Sequence, residues 1–293
     1  IKKSIFIDGV LWTPLNDSSM LSSDILIVHQ DPELFKYVIK AKKKFLWLTS
    51  NSSLLHSKKA IYYSHKNMPT VLCQGERHGI DLPKIYQKFN NKILVSGVSD
   101  CFYSGVNFRV GSVPKALVTT HPLLDLEWIL NIWKKKISIK IPWAELHVYS
   151  SLLSKPNLCF DDKISNIAKK AKNMIGEGVI IKAPLSEERM AYIIKDYRVH
   201  IYPSHDREVN AATLAETQSL GLPAVARPLG GAPEKMTNGV TGYMTLNEEQ
   251  FIEYIIRLLS DESLFKKMSK AARDSKRKRN WNTVAEEFES FIV

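Results

Sequence analysis

The stretch SHDREVNAATLAETQSLGLPAVARPLGGAPE, residues 204–234, places two acids, Glu208 and Glu216, eight positions apart. The first acid stands in a polar loop behind an apolar run, and the second stands within a pattern typical of a helix. Gly221 and Pro223 end that helix, because a glycine followed by a proline is a frequent helix stop. The stretch therefore predicts a strand, a loop with an acid, a helix with an acid, and another strand.

The same alternation extends on both sides of this stretch. From residue 115 onward, helical patterns separate the strand-like runs KALVTT, AELHVYS, GVIIKA, RVHIYPS and PAVARP. Apolar strands separated by helices predict a parallel, doubly wound α/β sheet. Before residue 115, six runs are predicted to be strands: SIFIDG, DILIVH, KFLWLTS, AIYYSH, TVLCQG and KILVSG. One helix is predicted between them, at PELFKYVIKAKKK.

The length of 293 residues favours two domains. We expect an N-terminal domain at residues 1–111, which is truncated. We expect a C-terminal domain at residues 112–275 and a last helical segment at residues 276–293.

The formal net charge is +11, which suits nucleic acid, an anionic membrane surface or a phosphorylated ligand. Short basic runs at residues 42–44, 134–136 and 273–279 are either solvated faces or contacts for anionic lipid headgroups. Neither a helix-turn-helix nor an aromatic RNA-binding signature is evident, so we expect no nucleic-acid partner. The three cysteines lie far apart, which predicts neither a disulfide framework nor a zinc site.

No apolar run approaches the roughly 20 residues that a spanning helix needs. We expect a cytoplasmic protein, with peripheral contact at the inner face of a membrane left open. The oligomeric state has no sequence signal.

The two acids bracket a site for an anion. In open α/β sheets ligands bind beyond the carboxyl ends of the strands, and Glu208 follows such an end. Glu216 lies about one and a half turns into the helix. Between them, the backbone N–H groups of residues 209–213 point out of the helix start, where a diphosphate is favoured. A nucleotide sugar carries ribose hydroxyls, a diphosphate and sugar hydroxyls in that order. Gly230 and Gly231 add a place where backbone can approach a ligand closely.

Two acids separated by seven residues, Glu208 and Glu216, resemble a motif in the C-terminal domain of retaining glycosyltransferases with the GT-B fold. The stretch that follows them, GLPAVARPLGGAPEKMTNGVTGYM, resembles the same domain. The resemblance runs from about residue 114 to the C-terminus. It includes WNTVAEEFESFIV, which is similar to the family's last helix, the one that crosses back to the N-terminal domain. It implies an α/β fold of two Rossmann-like doubly wound domains facing across a cleft, the N-terminal one incomplete here.

The resemblance also implies roles for particular residues. Glu208 would be the catalytic residue at the donor sugar, and Glu216 would bind the ribose. His29, which ends the strand-like run SDILIVH, would lie near the donor sugar. The other implied donor-binding residues are Val209, Asn210, Ala211, Ala212, Thr213, Gly230 and Gly231. The implied donor is a UDP- or GDP-sugar, with no metal and no cofactor, and the acceptor is a saccharide, a lipid-linked group or a protein.

The sequence departs from the family at one loop. The family usually carries an arginine and, four positions on, a lysine that hold the diphosphate, and Thr120 and Leu124 stand there instead. Each lost charge-assisted hydrogen bond could cost about 1.5–3 kcal/mol. Lys182, Arg207 and Arg227 are the candidate substitutes. A non-catalytic nucleotide-sugar-binding protein and a nucleotide-sugar epimerase of the same fold therefore remain alternatives.

Overall fold

The computed structural model describes residues 3–15, 22–37, 39–51, 53–103, 108, 113–155, 161–275 and 279–292. The chain forms two compact units, of which unit 1 comprises Ile1–Val95 with Ala285–Val293 and unit 2 comprises Ser96–Val284. The predicted boundary at residues 111 and 112 and the predicted segment start at residue 276 fall outside the described residues.

Unit 1 contains a four-stranded parallel sheet in the order β3-β4-β5-β6. A separate antiparallel hairpin, β1 with β2, exposes all of its side chains. The strands are β1 (Ile5–Ile7), β2 (Val10–Trp12), β3 (Ser22–His29), β4 (Lys40–Trp47), β5 (Thr70–Cys73) and β6 (Asn91–Ile93). The helices of this part of the chain are α1 (Lys58–Asn67) and α2 (Glu76–Ile80).

Two assignments made from the sequence in this unit are wrong. The predicted strand AIYYSH lies in α1, because Ser57 accepts a hydrogen bond from the backbone N–H of Ala60 and caps a helix. The predicted helix PELFKYVIKAKKK is a short 3-10 helix at Pro32–Lys36 followed by β4. Parallel pairing of β4 along the length of β3 overrides the helical spacing of these residues.

Unit 2 contains a six-stranded, wholly parallel sheet in the order β12-β11-β10-β7-β8-β9. Its strands are β7 (Lys115–Val118), β8 (Glu145–Tyr149), β9 (Val179–Lys182), β10 (Val199–Tyr202), β11 (Ala224–Ala226) and β12 (Gly242–Met244). Its helices are α3 (Glu127–Ile132), α4 (Ser138–Lys140), α5 (Ser151–Ser154), α6 (Asp162–Lys172), α7 (Glu187–Ile194), α8 (Ala212–Leu220), α9 (Ala232–Lys235), α10 (Glu248–Ser260) and α11 (Glu262–Arg273).

The last helix, α12 (Trp281–Ser290), begins in unit 2, and its residues from Ala285 onward belong to unit 1. There, Phe288 packs edge-on against Phe45 of β4, with 5.0 Å between the ring centroids. That the helix crosses between GT-B domains stays a prediction.

The strand order of unit 2 reverses once. The chain runs outward from β7 through β8 to β9, and then returns to β10 on the other side of β7 before continuing through β11 to β12. At such a reversal the loops after the two central strands separate to opposite faces of the sheet, which opens a crevice for a ligand. The predicted parallel α/β sheet is confirmed, and the crevice is at the carboxyl ends of β7 and β10.

The core of unit 2 gives a first prediction. Leu146 of β8 is fully buried, and we expect Leu146→Ala to lower the free energy of unfolding by about 2–5 kcal/mol through lost burial and a cavity. Leu246→Ala, at a leucine that is 68% exposed, should change it by less than about 0.5 kcal/mol. Urea unfolding followed by circular dichroism makes the comparison. Equal effects of the two variants would contradict this description of the core.

Candidate functional site

The loop between β10 and α8 carries Glu208, and α8 itself carries Glu216. The predicted order of strand, loop and helix is therefore present. Ala211 precedes the helix in the left-handed backbone region, with φ of 47°, and supplies no side-chain hydrogen bond to the helix start. The first N–H groups of α8 are thus not capped by a side chain of that residue, and they face the crevice end of the sheet.

Gly230 and Gly231 lie directly against this loop. A Cβ atom on Gly230 would stand 2.3 Å from the carbonyl oxygen of His205, and one on Gly231 would stand 2.2 Å from that of Val209. The N–H of Gly231 donates a 2.9 Å hydrogen bond to the carbonyl of Glu208. The two glycines therefore fix the backbone of the Glu208 loop, since any larger residue would displace it.

Glu208 is half-buried, and burial raises the pKa of its carboxyl, while the nearby Tyr202 hydroxyl and His205 partly lower it. Tyr202 is itself almost fully buried, and its hydroxyl has no hydrogen-bond partner within bonding distance. Burial and the Glu208 carboxyl both raise the pKa of that hydroxyl, so it stays protonated. A neutral donor and a carboxyl thus stand together at the end of β10.

Glu216 lies in a pocket of about 220 Å³ beside the crevice. Burial raises the pKa of its carboxyl to about 7, with a smaller contribution from the charge of Glu187, which lines the same pocket. The apolar part of the lining includes Phe102, Tyr149, Pro184, Leu185 and Met190. The pocket therefore offers the carboxyls of Glu216 and Glu187 and the hydroxyls of Thr119, Thr213 and Thr217, beside an apolar wall.

A buried hydrogen-bond network joins the two central strands to α8. His200 of β10 is fully buried, and its two ring nitrogens lie 3.0 Å from Thr119 Oγ1 and 2.9 Å from Thr217 Oγ1. Thr119 Oγ1 also lies 2.9 Å from Thr213 Oγ1. Burial lowers the pKa of His200 to about 3, so the ring is neutral and serves as one donor and one acceptor. The network therefore fixes the start of α8 over the reversal.

The basic candidates lie at different places around this site. Arg227 pairs with Asp125, donates to the carbonyls of Pro203 and Ser204, and stacks over Trp128 at 5.1 Å. Its guanidinium thus holds the loop after β7 against the loop after β10.

Lys182 ends β9, which is three strands away from β10 in the sheet. At a strand spacing of about 4.8 Å this places its backbone about 14 Å from that of Tyr202. Arg207 is exposed in the Glu208 loop. His29 belongs to unit 1, where its Nε2 lies 2.9 Å from Thr49 Oγ1.

Sequence reasoning missed Tyr202, His200 and the apolar wall of the pocket. His200 and Tyr202 alternate with apolar residues in RVHIYPS, so they lie on one face of a buried strand, and that spacing was the available signal. In the described part of the chain, no three His, Cys, Asp or Glu side chains group as a metal site. Among the same residues, no helix is both long and apolar enough to span a membrane.

Comparison with known proteins bears directly on this site. Residues 161–275, which include both acids and both glycines, match the family model for glycosyl transferases group 1. This part of unit 2 is therefore similar to the glycosyl transferases group 1 family. No curated protein matches the chain.

Solved structures match the chain over most of its length. A sucrose-phosphate synthase from Thermosynechococcus elongatus is 14% identical with a TM-score of 0.72, covering 90% of this chain and 72% of that one. Anabaena Alr3699/HepE in complex with UDP and glucose is 12% identical with a TM-score of 0.73, covering 95% and 79%. S. aureus TarM, in complex with Fondaparinux, alpha-GlcNAc-glycerol and UDP, is 14% identical with a TM-score of 0.70, covering 99% and 62%. The predicted GT-B fold is confirmed, and the chain spans 62% of the length of TarM.

The loop after β7 in unit 2 is held by its own contacts. The Thr120 hydroxyl donates a 3.2 Å hydrogen bond to the carbonyl of Leu124, so the two residues at the family's basic positions bond to each other. Asp125 follows in the left-handed region, with φ of 60°. Its carboxylate pairs with Arg227, so this loop is held by an internal ion pair.

The packing of Gly230 and Gly231 in unit 2 gives a second prediction. We expect Gly231→Ala to destabilise the protein by about 1–3 kcal/mol, because the new methyl group meets backbone that must shift. Gly176→Ala is the matched control, since its added Cβ would have nothing within 4 Å. Thermal unfolding of both variants tests this, and an unchanged midpoint for Gly231→Ala would refute the close contact.

The pKa of Glu216 in this domain gives a third prediction. A carboxyl whose folded-state pKa is raised from 4.5 to about 7 favours the protonated folded state, so stability falls as pH rises through that interval. The Gln side chain of Glu216→Gln stays neutral at every pH. We expect the free energy of unfolding of this variant to exceed that of wild type by near zero at pH 4 and by about 2–3 kcal/mol at pH 8. Urea unfolding at both pH values measures the difference. Parallel stability curves would show that Glu216 is not desolvated.

Proposed function

We propose that this chain is a retaining glycosyltransferase that moves a sugar from a nucleotide sugar to a saccharide, lipid-linked or protein acceptor without a metal. The observation that carries the proposal is the placement of two half-buried acids, Glu208 and Glu216, on either side of the start of α8 at the strand reversal. The family match of residues 161–275 supports sugar transfer.

The pocket at Glu216 suits a nucleoside. The Glu216 carboxyl would accept hydrogen bonds from ribose hydroxyls, and the apolar wall with Tyr149 would pack against the base. UDP is the first ligand to test, because the structures of HepE and TarM contain UDP. GDP is the second.

In the proposed reaction, the bond from the anomeric carbon of the sugar to the diphosphate oxygen breaks, and the acceptor oxygen bonds to that carbon on the same face. The acceptor hydroxyl passes its proton to the departing diphosphate oxygen, which leaves with the electron pair of the broken bond. The backbone N–H groups of residues 209–213 would stabilise the departing diphosphate. Glu208 would hold the donor sugar hydroxyls at the reacting face, with Tyr202 beside it.

One observation favours a second candidate, a protein that binds a nucleotide sugar without turnover. Thr120 and Leu124 bond to each other where the family has cations, and Arg227 is held by Asp125. Lys182 and His29 stay predictions as donor-binding residues, and a weakened hold on the diphosphate would preserve binding while slowing the departure of the leaving group.

Donor binding gives a fourth prediction. In a thermal-shift series with UDP, GDP and ADP, we expect one nucleotide to stabilise the wild type by about 2.7 kcal/mol at 100 times its dissociation constant. Glu216→Ala should lose the response, and Glu249→Ala, at an exposed acid of α10, should keep it. If no nucleotide acts at millimolar concentration, or if Glu216→Ala responds like wild type, the donor site is wrong.

Turnover separates the two candidates. With the sugar derivative of the nucleotide that binds, Glu208→Gln should leave the thermal shift unchanged and lower the rate of nucleoside-diphosphate release at least about 100-fold. Proton NMR of the first product reports whether the anomeric configuration is retained. Donor binding without release by wild type across a broad acceptor panel would select the non-catalytic candidate.

A further inference from the structure

The basic run at residues 134–136 belongs to a larger surface that the proposed donor site does not use. Residues 128–144 contain four lysines and no aspartate or glutamate. We name the exposed part of this region, with one neighbouring turn, the basic-apolar face. Its residues, all exposed, are Lys134, Lys135, Lys136, Ile139, Lys140, Trp143 and Ile175.

The helical backbone presents these residues together. A π-helical turn, Trp133–Ile137, leads into α4, and its side chains Trp133 and Ile137 are fully buried. The opposite side of the helix therefore faces solvent. Ile139 lies there between Lys135 and Lys136, because residues three and four positions apart are neighbours on a helix.

The turn that carries Ile175 is fixed against the same segment. Trp133 Nε1 donates a 2.8 Å hydrogen bond to the carbonyl of Glu177, and Lys134 Nζ lies 2.9 Å from the Glu177 carboxylate. Gly178 lies close to the residue that precedes β8, since a Cβ added to Gly178 would stand 2.4 Å from the carbonyl oxygen of Ala144. The acid at this turn is thus neutralised by a lysine of the face, which leaves the other lysines in excess.

The apolar side chains of the face are unusually open. Ile139 is 69% exposed, Trp143 is 63% exposed and Ile175 is 70% exposed. A partner that gains from all of these residues must be both anionic and apolar. Nucleic acid satisfies the lysines and can stack on the tryptophan, but its phosphates offer nothing to two isoleucines. Headgroups of an anionic bilayer satisfy the lysines, tryptophan favours the interface, and isoleucine can enter the acyl boundary.

We propose that the basic-apolar face binds the surface of membranes that contain anionic lipids. Trp143 lies two residues before β8 and Ile175 lies four residues before β9, so the face lies at the amino ends of these strands. Glu208 follows the carboxyl end of β10 in the same parallel sheet. Membrane contact through this face therefore leaves the candidate donor site of unit 2 open.

The test is co-sedimentation of the full chain with vesicles of phosphatidylcholine, with and without phosphatidylglycerol. Wild type should bind only the anionic vesicles, and less as salt rises. At about 1 kcal/mol for each lysine near the surface, the combined change Lys135→Gln, Lys136→Gln and Lys140→Gln should weaken binding about 100-fold. The control makes the same charge change at three exposed lysines of α11, Lys266, Lys267 and Lys270.

A second variant tests the apolar part at constant charge. Trp143→Ser with Ile139→Ser should weaken binding to anionic vesicles at least about 10-fold, since both side chains lose their burial in the interface. Circular dichroism and thermal unfolding show that each variant remains folded. Vesicle binding needs no nucleotide, so its outcome is independent of the proposed transferase activity.

Three results would overturn the proposal. One is the absence of wild-type binding to anionic vesicles at low salt. Another is an equal loss in the face variant and the α11 control, which would indicate net charge alone. The third is binding to a DNA duplex that depends on Lys135, Lys136 and Lys140 while vesicle binding does not, which would assign the face to nucleic acid.

Discussion

The hydrogen bonds of His200 at the strand reversal fix the positions of the elements that carry the candidate site. The ring links Thr119, just after β7, to Thr217 within α8, and Thr119 in turn contacts Thr213 at the helix start. Because burial lowers the pKa of His200 to about 3, this network keeps the same number of protons across the whole neutral range. Losing one partner would leave a buried ring nitrogen unsatisfied, which costs about 1–3 kcal/mol. The position of α8, and with it Glu216, therefore depends on a neutral imidazole.

The burial of Glu208 and Glu216 lowers the stability of the folded protein when their carboxyls are ionised. Burial raises the pKa of both Glu208 and Glu216, so the folded protein resists their ionisation. Hydroxyl groups of a ligand would relieve this penalty by donating hydrogen bonds to the carboxylates. The close packing of Gly230 and Gly231 against the loop keeps Glu208 from relaxing toward solvent. A site that is unfavourable when empty and satisfied when filled fits the polyhydroxylated ligand that the proposal names.

Much of unit 2 could be predicted from the sequence, because its short apolar strands alternate with amphipathic helices and both kinds of period are visible. The secondary structure of unit 1 was harder to predict from the sequence. The segment that forms β4 has helical spacing, and only its pairing with β3, a tertiary effect, makes it a strand. The acids were found because their spacing around a helix start has a direct chemical meaning. The spacing in RVHIYPS marks one face of β10, but the His200 network and the approach of the Tyr202 hydroxyl to Glu208 could not be predicted. Each depends on which side chains other elements bring to the same place. The ion pair between Arg227 and Asp125 could not be predicted for the same reason, because the two residues are 102 positions apart in the sequence.

The central claim is that the reversal in unit 2 binds a nucleoside diphosphate between the two acids. A crystal structure of the full chain grown with UDP, or with the nucleotide that best stabilises it, tests this most directly. The account predicts ribose hydroxyls within about 3 Å of the Glu216 carboxylate and diphosphate oxygens at the backbone N–H groups that begin α8. A nucleotide bound elsewhere, or a ribose held without Glu216, would contradict it.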